Sequence, residues 1–112
     1  MKKFLLMLTA VLVLSMFGCS TVTFTKPSIN SRLNYLKANN ITNKEIRSGI
    51  RRGSVVYGMS EEQVLATWGK PIDKEEVNDK AQEADTKWFY KGILDITVEF
   101  ADGLVLVVYH NT

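Results

Sequence analysis

Between Phe4 and Phe17 the chain runs 14 residues with only Thr9 and Ser15 to interrupt its apolar character. Met1-Lys2-Lys3 supplies positive charge ahead of it, and Gly18-Cys19-Ser20 closes it with small residues. A short basic segment, an apolar core and a small-residue end make a secretion signal. A retained transmembrane helix is the rival, but a span needs about 20 apolar residues. A buried helix would show a polar face, and this run has none. Residues 1–18 are therefore read as a signal peptide and set apart from the folded domain.

This reading reassigns the charge and the only cysteine. The whole chain has 14 basic and 12 acidic residues, and Lys2 and Lys3 belong to the signal. The remainder carries 12 of each, so no basic surplus is left for nucleic acid. Cys19 is the sole cysteine, which rules out an internal disulfide. It stands where the apolar run ends. Ser15-Met16-Phe17-Gly18-Cys19 resembles a bacterial lipoprotein processing box, in which the cysteine is lipidated and becomes the first residue of the mature chain. Gly18 and Cys19 match that box; Met16 and Phe17 depart from it, where leucine and a small residue are usual. The resemblance implies acyl chains, palmitate among them, on Cys19. Plain secretion with cleavage nearby and an uncleaved anchor are the alternatives. Ser20, in place of aspartate, resembles the outer-membrane address of such lipoproteins, which implies a lipid-anchored protein on the periplasmic side of the outer membrane.

Residues 19–40 are polar with scattered hydrophobics and read as a flexible tether, with Leu33, Tyr35 and Leu36 able to form a helical turn or pack back on the domain. The domain spans 41–112. Thr42-Asn43-Lys44-Glu45 is a capping box, with Ile41 and Ile46 at staple positions. The helix it opens ends near Arg52-Gly53. Ser60-Glu61-Glu62-Gln63 is a second capping box, with Met59 and Val64 as its staple. Val64, Leu65 and Trp68 form the apolar face of this second helix, and Gly69 and Pro71 stop it.

The segment Asp73 to Asp85 holds six acids and two lysines and reads as a mobile loop. The period then changes from 3.6 to 2. Lys87 to Tyr90 is the first strand. Leu94, Ile96, Val98 and Phe100 alternate with Asp95, Thr97 and Glu99 in the second. Asp102-Gly103 is a hairpin turn, and Leu104 to Tyr109 the third strand. The predicted fold is α+β, with two short helices packed on a three-stranded antiparallel sheet (ααβββ).

Gly58-Met59-Ser60, Gln63-Val64, Gly69-Lys70-Pro71, Trp88-Phe89-Tyr90 and the closing hairpin resemble, in that order, the SmpA/OmlA-type (BamE-like) small outer-membrane lipoproteins. The resemblance covers roughly Ile46 to Tyr109. It implies the same fold and an accessory role in outer-membrane protein assembly or envelope integrity. At the hairpin the family often has asparagine-glycine where this chain has Asp102-Gly103. Secreted inhibitors of β-lactamases use the same fold, usually in tandem copies, so a periplasmic binding or inhibitor module is the alternative.

No enzyme chemistry is legible. His110 is the only histidine, and no phosphate-cradling loop or metal-ligand spacing occurs. Ser60 is explained by its cap role. Asp73, Glu75, Glu76 and Asp79 read as a solvated loop rather than a cation site. No cofactor is expected. Two surfaces are candidate contacts. Arg47, Arg51 and Arg52 on the first helix form a basic side, either a solvated face or a patch for anionic phospholipid or an acidic partner. Val105, Val107 and Tyr109 alternate along the last strand. With Leu104, Leu106 and Val108 turned to the helices, they form an outward row for another envelope protein.

Overall fold

The computed structural model describes residues 25–92 and 95–111. The signal, Cys19 and the predicted strand residue Leu94 lie outside them. The domain is α+β: helices α1 (Ile29–Ala38), α2 (Lys44–Arg52) and α3 (Glu61–Trp68) precede strands β1 (Asp73–Glu76), β2 (Thr86–Lys91), β3 (Asp95–Ala101) and β4 (Leu104–Asn111). The four strands form one antiparallel sheet in the order β1-β2-β3-β4. The expected count of two helices and three strands is thus short by one of each.

The additional helix, α1, lies inside the stretch expected to be a tether. Ser28 caps it, its hydroxyl accepting from the Ser31 amide at 3.2 Å. Asn39 closes it through backbone and side-chain bonds to the Tyr35 carbonyl. None of its residues is fully buried, but Tyr35 and Leu36 pack against the core. Burial raises the Tyr35 pKa, and the nearby Glu62 carboxylate adds to the shift. Arg32 ties the helix down: its guanidinium donates to the carbonyl of Pro27 and, at 3.3 Å, to that of Arg51.

Helix α2 begins one residue later than expected. Asn43, not Thr42, is the cap, accepting from the amides of Glu45 at 2.9 Å and Ile46 at 3.2 Å. Asparagine at least equals threonine at this position. Ile46 and Ile50 enter the core from the same face. Gly53 ends the helix in the left-handed conformation. Gly49, a weak helix former in mid-helix, has a steric reason: a Cβ there would lie 2.8 Å from the Ser54 carbonyl and 3.0 Å from Met59 Cε.

Helix α3 has the predicted reciprocal capping box between Ser60 and Gln63. Met59, Val64 and Trp68 are buried, whereas Leu65 turns outward. Gly69 follows at φ 79°, ψ −165°, a conformation essentially restricted to glycine. Two aromatic polar groups bind the helix ends. The Trp68 indole N–H donates to the Gly53 carbonyl at 2.9 Å, and the Tyr90 hydroxyl to the Gly69 carbonyl at 2.8 Å. The two rings meet edge to face, 5.3 Å between centroids.

The acidic segment is only partly a loop. Its first four residues form β1, paired along β2 from Asp73↔Phe89 to Glu76↔Thr86. Lys74 lies over the Trp88 ring, 4.6 Å from its centroid. That cation–π contact and the ladder offset the low strand propensity of Asp-Lys-Glu-Glu. The segment's last residue, Asp85, accepts from the Asp102 amide at 2.9 Å and from the Thr86 hydroxyl at 3.0 Å. It thereby pins the β3–β4 turn, where Asp102 and Gly103 both take the positive φ a type I′ turn requires.

The core lies between the helices and one face of the sheet. Trp88, Tyr90, Val98, Phe100 and Val105 meet Ile46, Ile50, Met59, Val64 and Trp68 there. Phe89 is half-buried on the opposite face, beside Thr97 across the ladder.

Candidate functional site

The alternation expected in β4 breaks at a bulge. Phe100 pairs with Val105, but the next pair is Glu99 with Val107, so Leu106 has no opposite residue. An extra residue shifts the side-chain phase of a strand by one position. Val105 consequently turns into the core, 1 % exposed, and the predicted row Val105-Val107-Tyr109 loses its first member. Val107 and Tyr109, opposite Glu99 and Thr97, stay on the face away from the core, and Tyr109 is 48 % exposed. Leu104, expected to face the helices, is half exposed, while Val108 packs against the core as expected.

The start of β4 is also covered along its edge. The Gly58 amide donates to the Val105 carbonyl at 3.0 Å, the Val105 amide to the Met59 carbonyl at 2.7 Å, and Ser60 bridges Leu104. This segment therefore tethers the entry of α3 to the sheet. Beside it Tyr57, the most exposed large apolar side chain described, and Leu104 border a cavity of about 190 Å³ with Glu83 on its rim. Tyr57 is a surface feature that periodicity did not single out, since it lies in a link between helices.

Arg47, Arg51 and Arg52 are all exposed, but they do not form one row. Arg47 and Arg51 are four apart and stack along the helix. Arg52 is turned about 100° from Arg51 and joins Lys44 and Ser48 instead. Its guanidinium donates to the Ser48 hydroxyl at 3.0 Å. Lys44, Ser48, Arg52 and Val56 line a shallow depression of about 270 Å³, with Glu45 at its rim. Two cations and a hydroxyl make it an anion-friendly surface open to solvent.

Among the described residues no three His, Cys, Asp or Glu side chains gather as metal ligands, and no helix is long and apolar enough to cross a membrane. His110 is exposed near the end of β4. Cys19, the expected lipidation site, lies outside the described residues. No family model, curated protein or solved structure matches this chain.

Proposed function

We propose that this chain is a non-enzymatic lipoprotein of the cell envelope. Lipid on Cys19 holds it to the periplasmic side of the outer membrane, where it acts as an accessory or scaffold protein in outer-membrane protein assembly or envelope integrity. One observation carries the contact role: Tyr109 and Val107 sit together on the face of the sheet away from the helices, with Tyr109 48 % exposed. A large aromatic with a polar tip suits a protein interface. The exposed arginines of α2 supply a second contact, to anionic phospholipid or an acidic partner. The order of motifs resembling the SmpA/OmlA-type lipoproteins supports the same reading.

A second reading has its own observation. Tyr57, 75 % exposed on the link between α2 and α3, projects beside Leu104 and a small cavity. A protruding aromatic of this kind suits insertion into a cleft, as an inhibitor or periplasmic binding module would use. A photo-crosslinking residue placed at Tyr109 and, separately, at Tyr57 in intact cells separates the two. Capture of a membrane-anchored or barrel protein from Tyr109 supports the scaffold. Capture of a soluble hydrolase from Tyr57 supports the inhibitor. A Cys19→Ala variant that is processed normally and kept in the membrane would end the lipoprotein reading.

A further inference from the structure

A stretch of 22 residues, 19–40, could let a domain stand about 79 Å from its anchor, at ~3.6 Å per extended residue. The structure removes most of that reach. Helix α1 starts at Ile29 and is docked, and its approach is already pinned. Pro27 gives its carbonyl to Arg32 and lies beside Gly69, where its ring would sit 3.9 Å from a Cβ. Lys26 reaches over the Trp68 ring, 5.7 Å from the centroid. From Cys19 to Thr25 only seven residues remain, a reach of about 25 Å at full extension.

Charge is distributed unevenly about this junction. Lys26, Arg51 and Lys70 are exposed around it: Lys26 over Trp68, Arg51 with its carbonyl bound by Arg32, Lys70 directly after Gly69. Two acids, Asp73 and Asp95, also lie at this end, Asp95 opposite Lys91, but the larger group of acids lies toward the other end of the sheet. β2 leads from Thr86, beside the Asp85–Asp102 contact, to Tyr90, whose hydroxyl reaches Gly69. Its six residues span about 17 Å at ~3.3 Å per residue. The loop holding Asp79 and Glu83 joins β1 to β2 at the Thr86 end, and Glu61 and Glu62 open α3 beside the Ser60–Leu104 bridge near the same turn.

Resting on the lipid anchor at Cys19, we propose that the junction end bearing Lys26, Arg51 and Lys70 lies against anionic phospholipid headgroups of the anchoring bilayer, with the Asp79–Glu83 loop directed away. Two independent facts meet here. The short segment brings this end to the surface, and its charge is the one such a surface attracts. Screening limits attraction to about 8 Å at physiological ionic strength, so the cations count only if the segment holds them close.

The test uses the full lipidated chain. With Cys19 acylated, an added cysteine is the only free thiol. Ile72→Cys, close to the junction, and Gln82→Cys, in the far loop, are each labelled with an environment-sensitive fluorophore. Both proteins are placed in vesicles of phosphatidylcholine and phosphatidylglycerol carrying a headgroup-attached quencher. Position 72 is expected to be quenched severalfold more than position 82. Inserting a long Gly-Ser segment after Ser20, or combining K26Q, R51Q and K70Q, is expected to reduce the difference. Equal or reversed quenching in a lipidated chain overturns the orientation. A difference unmoved by the three glutamines overturns the role of the charges. The mass of the N-terminal peptide reports the anchor separately: an unlipidated chain overturns the lipoprotein reading itself.

Discussion

The Tyr90 hydroxyl donates to the Gly69 carbonyl at 2.8 Å, joining the middle of the core to the residue that ends α3. Burial pushes the Tyr90 pKa well above its usual value of 10.0, because the phenolate would lose its solvation. Above pH 10 the unfolded chain sheds this proton while the native one keeps it, so the folded state loses stability there. Urea unfolding at neutral pH and at about pH 11 should show that loss. In Tyr90→Phe the alkaline loss should shrink, and the variant should be about 1 kcal/mol less stable at neutral pH.

Gly49→Ala tests packing against propensity. Alanine in a helix interior is favoured over glycine by about 1 kcal/mol. Here its Cβ would press on the Ser54 carbonyl at 2.8 Å and on Met59 and Val56 at 3.0 and 3.1 Å. Overpacking costs about 1–3 kcal/mol. A lower denaturation midpoint is expected, and a raised one would contradict the close approach.

The bulge in β4 makes neighbouring positions respond differently. Val105→Ala should cost about 2 kcal/mol, since that side chain is buried. Tyr109→Ser should change stability by less than about 0.5 kcal/mol and reduce crosslinking to an envelope partner. Comparable destabilisation at both positions would mean that Leu106 is paired after all.

Asp85→Asn keeps the side chain's shape but removes the charged acceptor that holds the Asp102 amide. Hydrogen exchange at that amide should speed up while the amides of α2 stay protected. Unchanged exchange would show that the turn closes without the carboxylate.

Replacing Arg47, Arg51 and Arg52 by glutamine should weaken sedimentation with phosphatidylglycerol vesicles and flatten its salt dependence. Binding that does not change would leave these residues as a solvated face.

What was legible in the sequence followed from local chemistry. The Ser60–Gln63 box, the Gly53 and Gly69 stops and the Asp102-Gly103 turn each depend on a few adjacent residues, and all appear. What was missed depends on distant partners. Helix α1 buries no residue fully and is held through Arg32, whose acceptor at Arg51 is 19 positions away. Strand β1 has an unfavourable composition and exists because β2 offers a ladder and Trp88 a ring for Lys74. The bulge at Leu106 leaves no mark in an unbroken apolar run, so strict alternation misplaces only the start of the strand, Leu104 and Val105, and keeps Val107 and Tyr109 on the outward face. Of the candidate surfaces, the exposure of the arginines and of Tyr109 was legible, but not the division of Arg52 from its neighbours.

Arg32 also determines how force would enter the domain. A pull on the N-terminal segment loads Pro27 and Lys26 first, then passes through the guanidinium to the last turn of α2. The sheet lies beyond that linkage. Such a load would meet the Arg32 contacts and the Tyr35 and Leu36 packing of α1 before it reached the strands.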